Sequence, residues 1–396
     1  MERTNVFIAR DNVITSLGFT TDETIRKIKN NIVGFKPCTD RSISSSAIPL
    51  SLVDTHQLDE LFQRTVEIFR PDNRKIRYTR LEKLFILSIY DSVNEMPAGI
   101  FGPETQLILS TTKGNIDLLE EEKKKLYEPQ RVFLWRFAEV IRQFFGFENR
   151  PQVISNACIS GVLALSHASR MIQSGLCENA VVCGGDIISE FVVSGFTSFQ
   201  ALSPEPCKPF DISRNGLSLG EGCGTMVLTS SPQKYSATNI IIAGSATSND
   251  ANHISGPSRT GEELAMAIGN ALKESGCEAG DVSFVSAHGT ATLYNDEMES
   301  KALSLAGLQE VPVNSFKGYW GHTLGGAGLI ESVATVRSAL DNILFRSAGF
   351  TNPGVPESIN VIQQHTIAAV NNCLKIASGF GGCNAAIVYR KQNSMQ

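Results

Sequence analysis

Two kinds of hydrophobic pattern alternate along this chain of 396 residues. Short β-branched or apolar runs recur: "QLILSTT", "PQVIS", "NAVVCGGD", "GCGTMVLTS", "NIIIAGSATS", "VSFVSAHGT", "VPVNSF" and the closing "CLKIASGFGGCNAAIVYR". Runs of this length between turn-forming residues read as strands. Other segments place their apolar residues at helical spacing. In the one after Cys158, Val162, Leu163, Ser166, Met171 and Ile172 share that spacing, and Gly175 offers a C-cap. A second helix of small residues follows Gly326. Strands alternating with helices in this way predict a layered α/β architecture.

No short-period repeat is visible. Each half of the chain nonetheless holds a strand, a glycine-rich turn and a small-residue helix, and "SSPQKYSATN" (Ser230 to Asn239) forms a polar seam between them. The expected organisation is a duplication with a boundary near 235. An N-terminal half, residues 1–235, carries Cys158; a C-terminal half, residues 236–396, carries His288, Lys317, His322 and Phe380.

Composition narrows the function. With 42% hydrophobic and 19% charged residues the chain can bury a large core. A net charge of −5 with both signs interspersed argues against a nucleic-acid binder. Nine cysteines, an odd number with no CxxC, fit a reducing compartment better than a disulfide framework. The opening "MERTNVFIARDNVITSLG" lacks the apolar core of a signal peptide. Even "GAGLIESVATVRSAL" is broken by Glu331 and Arg337, so no membrane span is expected and the localisation read from sequence is cytoplasmic. Two charged stretches, "KGNIDLLEEEKKKLYEP" and "RPDNRKIRYTRLEK", read first as solvated helices or insertions.

The candidate chemistry centres on Cys158, which falls where a strand ends and a helix begins. Unpaired N–H groups and the dipole at a helix N-terminus favour a thiolate, so a lowered thiol pKa is expected there. A free cysteine is more often a small buried hydrophobe, a reading that suits the other eight. Of six histidines, His288 in "VSFVSAHGTAT" and His322 in "VNSFKGYWGHTLGGAGLIE" stand at strand ends in glycine-rich turns. Paired in this way they suggest a site at the carboxyl edge of a sheet. Close ligand pairs such as CxxC or HxxxH are missing, which weakens a zinc reading.

In these motifs the chain resembles the decarboxylating β-ketoacyl-acyl carrier protein synthases of the thiolase superfamily. "NACISG" looks like the nucleophile motif and "AHGTATLYND" like the first histidine motif, while "KGYWGHTLGGAGLIE" looks like the motif joining a lysine, the second histidine and a glutamate. "KPFDISRNGLSLGEGCG", "TSNDANHISGP" and the terminal "SGFGGCNAAIVYR" extend the likeness nearly end to end.

The resemblance implies a thiolase-like α/β fold of two duplicated halves layered α-β-α-β-α. It implies an acyltransferase that loads an acyl group onto Cys158, then condenses it with a malonyl thioester in fatty-acid or polyketide biosynthesis. His288 and His322 would stabilise the enolate, Lys317 and Glu331 would support them, and Phe380 would give an oxyanion-hole N–H and gate the site. Thr290 and Thr292 would hold the pantetheine arm. No cofactor is implied, because substrates ride on the phosphopantetheine of an acyl carrier protein. Arg74, Lys75 and Arg77 are the candidate docking residues for that acidic partner, and the implied assembly is a homodimer or a heterodimer with a related chain. Leu293, Asn156, Ile159 and Asn215 depart from the family's usual residues, which bears on substrate rather than reaction class. The rival roles are a non-catalytic, chain-length-determining subunit and a coenzyme A-dependent thiolase-type enzyme. Retention of the cysteine and of both histidines speaks against each.

Overall fold

In the computed structural model, which describes residues 4–70, 72, 76–250 and 256–392, ten strands join in one sheet. In chain order they are β1 (Phe7–Ile14), β2 (Thr105–Ser110), β3 (Gln152–Ile154), β4 (Asn179–Asp186), β5 (Gly222–Thr229), β6 (Ile240–Asn249), β7 (Phe284–Ser286), β8 (Val313–Asn314), β9 (Asn372–Gly379) and β10 (Cys383–Lys391). Across the sheet they run β8-β7-β9-β10-β6-β1-β5-β4-β2-β3. Cut at the join of β6 and β1, where Phe7 pairs with Ile241, this order is one pattern written twice. In each set of five the spatial order is third, second, fourth, fifth, first. The outer pairs β3–β2–β4 and β8–β7–β9 are parallel. The inner pairs β4–β5–β1 and β9–β10–β6 are antiparallel.

Eight helices build the layers: α1 (Thr55–Phe69), α2 (Arg80–Val93), α3 (Leu134–Phe145), α4 (Ser160–Gln173), α5 (Glu190–Ser198), α6 (Glu262–Ser275), α7 (Leu293–Leu305) and α8 (Ala327–Asp341). The two-residue period of the strands sorts their side chains between the layers. On β4, Val181 and Cys183 join the outer core with α2 and α3, while Ala180 and Val182 face the central core with α4 and α8. On β9, Leu374 and Ile376 pack outward with α6 and α7, and Cys373 and Ala377 face inward. The central helices are covered on all sides, and α8 is accordingly apolar or small nearly all round.

The close approach of α4 and α8 depends on two glycines. A Cβ on Gly161 would stand 2.4 Å from the backbone nitrogen of Leu329, and one on Gly328 would stand 2.8 Å from that of Val162. The first turns of the two helices therefore meet backbone to backbone. In the repeated topology each of these helices follows the third strand of its half, so the contact joins equivalent points. Cys158 immediately precedes one helix and His322 the other.

The stretch Arg70 to Lys83 is not the solvent-facing helix start expected. Arg70 donates to the carbonyls of Phe144 and Phe145 at 2.6 and 3.0 Å, and Arg80 pairs with the buried Glu221. Thr79 and Glu82 form a capping box at the start of α2, with Glu82 also holding Arg131 in a buried ion pair.

Gly161→Ala is expected to push the two helices apart and lower stability by about 1–3 kcal/mol, the usual range for overpacking a filled core. Chemical denaturation read by circular dichroism checks this; an unchanged midpoint would show that the helices are free to separate.

Candidate active site

Cys158 sits where the sequence places it, between β3 and α4. Ala157 adopts φ 43°, a left-handed conformation unusual for a residue with a side chain. Ser160 clamps this elbow: its hydroxyl donates to the carbonyl of Ala157 at 2.6 Å and accepts from the N–H of Asn156 at 2.8 Å. The sulfur lies 3.0 Å from Nε2 of His322. Of the nine cysteines Cys158 alone is half-buried; the other eight are buried.

The lowered thiol pKa expected from the helix terminus is not found. Burial pushes the Cys158 thiol up to about 12, with Lys317 opposing it. Loss of water around the sulfur outweighs the dipole and the nearby cation, and the resting residue is a neutral thiol.

The histidines converge on this sulfur. Their rings lie 5.1 Å apart and nearly perpendicular, and the ligand atoms of Cys158, His288 and His322 all fall within 4.8 Å of one another. His322 is fixed through its backbone: its N–H donates to the carbonyl of Ser218 at 2.8 Å and its carbonyl accepts from Gly220 at 3.1 Å. Asp186, buried at the end of β4, ties the following turn to the other half of the fold. It accepts from Gly325 N at 2.8 Å and from the Thr111 hydroxyl at 2.6 Å.

Lys317 sits beneath His288. Its ammonium donates to Glu331 Oε1 at 2.7 Å and to the carbonyl of His288 at 2.5 Å, and approaches the ring Nδ1 at 3.3 Å. An ammonium has donors only, so this contact makes Nδ1 an acceptor and leaves the ring proton on Nε2, which points into the site. Glu299 accepts from the N–H groups of His288 and Gly289 at 2.6 Å each. Burial first, then the charge of Lys317, holds both imidazoles well below the usual histidine range. Both are neutral at pH 7 and act as N–H donors.

A cavity of about 570 Å³ opens over the three residues. Thr290 and Thr292 line it with their hydroxyls 2.8 Å apart, and Leu293, Tyr294 and Phe199 reach it from the rim. Phe380, on the turn joining β9 and β10, also lines it and packs against Phe196 and Phe199 at 5.9 and 5.3 Å. A Cβ on the preceding Gly379 would stand 3.0 Å from Cys158 N, so the turn backbone lies against the cysteine amide. Ile159 is packed in the central core.

Every candidate catalytic residue thus meets at one cavity or directly behind it. The docking candidates Arg74 and Lys75 lie outside the described residues; Arg77 is exposed. Sequence reasoning missed Lys375, whose ammonium contacts Glu331 Oε2 from β9. A lysine within the apolar run "CLKIASG" was the available signal. It also assigned no role to Glu299 or Asp186.

Such a site on a doubled five-strand fold defines a thiolase-like condensing enzyme. Two family descriptions match: the β-ketoacyl synthase N-terminal domain over residues 102–234 and the β-ketoacyl synthase C-terminal domain over residues 240–351. The 3-oxoacyl-[acyl-carrier-protein] synthase 2 of Vibrio cholerae is 32% identical, over 76% of this chain and 78% of its own. The ishigamide ketosynthase/chain length factor superposes with a TM-score of 0.85 at 24% identity, covering 99% of this chain and 100% of that one. A ketosynthase in complex with its chain length factor from Xenorhabdus doucetiae gives 0.82 at 21% identity, with 98% of each chain covered. The chain belongs to the β-ketoacyl synthase family. Among the described residues no helix is long and apolar enough to cross a membrane.

Iodoacetamide is expected to alkylate Cys158 ahead of the other eight cysteines, at a rate still rising above pH 8.5 because the thiol titrates high. Peptide mass mapping across a pH series checks both statements; labelling spread over several cysteines, or a plateau near neutrality, contradicts them.

Proposed function

We propose that this chain is a 3-oxoacyl-acyl carrier protein synthase that acylates Cys158 and then condenses the acyl group with a malonyl thioester. The observation that carries the reading is the meeting of a half-buried cysteine sulfur and two neutral imidazoles at one cavity.

In the first half-reaction Cys158 attacks the acyl thioester. His322 Nε2, in contact with the sulfur, relays the thiol proton toward the departing pantetheine sulfur, so that one thioester replaces another. The N–H groups of Cys158 and Phe380 face the carbonyl oxygen as it gains charge. Removing one such donor typically costs about 2.7–4 kcal/mol of transition-state stabilisation.

In the second half-reaction the malonyl carboxylate leaves as carbon dioxide, and its bonding electrons pass into the thioester enolate. His288 donates from Nε2 to the enolate oxygen, with His322 as the second donor. The enolate carbon attacks the acyl carbonyl, the sulfur of Cys158 leaves, and uptake of one proton restores the thiol. Thr290 and Thr292 hold the pantetheine arm, Phe380 with Phe196 and Phe199 gates the mouth, and the chemistry draws on the substrate's own carrier rather than a resident cofactor.

The same reading places the protein in the cytoplasm with an acyl carrier protein as partner, Arg77 being the described member of the docking set. Its assembly is a dimer, homo- or heteromeric, and the Xenorhabdus ketosynthase with its chain length factor is the model for the latter.

Cys158→Gln is expected to abolish condensation and leave malonyl decarboxylation measurable, whereas His288→Ala should lose both by 10²-fold or more, on the order of one acid–base or donor contribution. Product analysis and carbon dioxide release, measured on the same folded variants, check the division. Decarboxylation lost with the cysteine alone would show the roles wrongly assigned.

A further inference from the structure

Glu331 has two buried lysines and only one is explained. Lys317 occupies Oε1; Lys375 occupies Oε2, and all three side chains are almost wholly removed from solvent. On β9 Lys375 stands in the two-residue register of Cys373 and Ala377, which pack in the central apolar core. A hydrophobic residue would suit that position, and replacing buried ions by hydrophobic residues is often neutral or stabilising. A buried lysine there needs a reason beyond packing.

Its contacts supply one. Besides Glu331, the Lys375 ammonium donates to the carbonyl of Ala287 at 2.9 Å and reaches that of Ser286 at 3.4 Å. Lys317 takes the next carbonyl, that of His288, at 2.5 Å. Two ammonium groups, bridged by one carboxylate, thus grip three successive carbonyls at the strand end that delivers the histidine. With one anion between two cations, the cluster leaves a positive charge behind the rings.

We propose that Lys375 is a positioning residue for His288: it orients Glu331 and the carbonyl end of β7, and its charge keeps both imidazoles neutral donors. The proposal rests on the decarboxylating role given above to the histidine pair. Lys375 lies among the electrostatic causes that hold His288 and His322 low, behind burial and Lys317. The ionisable groups facing this cluster are Lys317, Glu331 on α8, Glu299 and Asp296 on α7, and His322 across the cavity. Burial and the charge of Asp296 push Glu299 up to about 7, and burial brings Lys375 down to about 8. Toward Cys158 the further charged neighbours are Lys113 and Asp186.

The test uses Lys375→Met, which keeps the length of the side chain, and Lys375→Gln, which keeps a neutral donor for the carbonyls. Malonyl decarboxylation is followed against pH in wild type and both variants. Removing a nearby unit charge raises the histidine pKa values, so the acid limb is expected to move up by about one pH unit, with KM little changed. A uniform loss at every pH, or no change, would overturn the proposal, since a merely structural residue would not move the limb. Histidine ring titrations by NMR on the same proteins need no turnover and should move in the same direction. Titrations that stay in place overturn the role of Lys375. Titrations that move in a protein unable to decarboxylate malonyl thioesters would sustain it and overturn the proposed function instead.

Discussion

The site exists because two helix starts touch through glycine. Gly161 and Gly328 allow the first turns of α4 and α8 to meet at backbone distance. The residues delivered by the two preceding loops, Cys158 and His322, consequently face each other at 3.0 Å. The duplicated strand order makes this possible, since both loops leave the third strand of their half and enter the same middle layer. A bulkier residue at either glycine would widen the gap between sulfur and imidazole, and proton relay at hydrogen-bond range leaves little room for that.

Around that contact the protein arranges charge so that nothing in the cavity is ionised at rest. Desolvation raises the thiol and lowers both histidines, all in the direction of the uncharged form. The charges stand one layer back, on Lys317, Glu331 and Lys375, with Glu299 beneath the His288 amide. Reaction then creates charge where fixed donors already point: on the thioester oxygen at the Cys158 and Phe380 amides, and on the enolate oxygen at the imidazoles.

Much of this was legible in the sequence. The strand-to-helix position of Cys158 follows from the switch in hydrophobic period around it, and the strand-end positions of His288 and His322 follow in the same way. Roles for Lys317, Glu331, Thr290 and Phe380 were reachable only through ordered motifs shared with a family, because spacing alone does not distinguish a buried ammonium from a surface one. The thiol pKa was misread because helix position is local whereas desolvation depends on the whole fold. Lys375 was missed for a related reason: its partner lies 44 residues away on another layer, and only the sheet register turns it inward. The basic stretch from Arg70 misled in the opposite sense, since Arg70 and Arg80 are held by carbonyls and a carboxylate that no local pattern reveals.

The most direct test of the central claim is a crystal structure of the acyl-enzyme, trapped on Cys158 with a short acyl thioester. The account predicts the acyl carbonyl oxygen between the amides of Cys158 and Phe380, with His288 and His322 still both within about 5 Å of the sulfur, as the 4.8 Å cluster of the free protein requires. An acyl group attached elsewhere, or a sulfur with either imidazole turned out of the shared cavity, would contradict it.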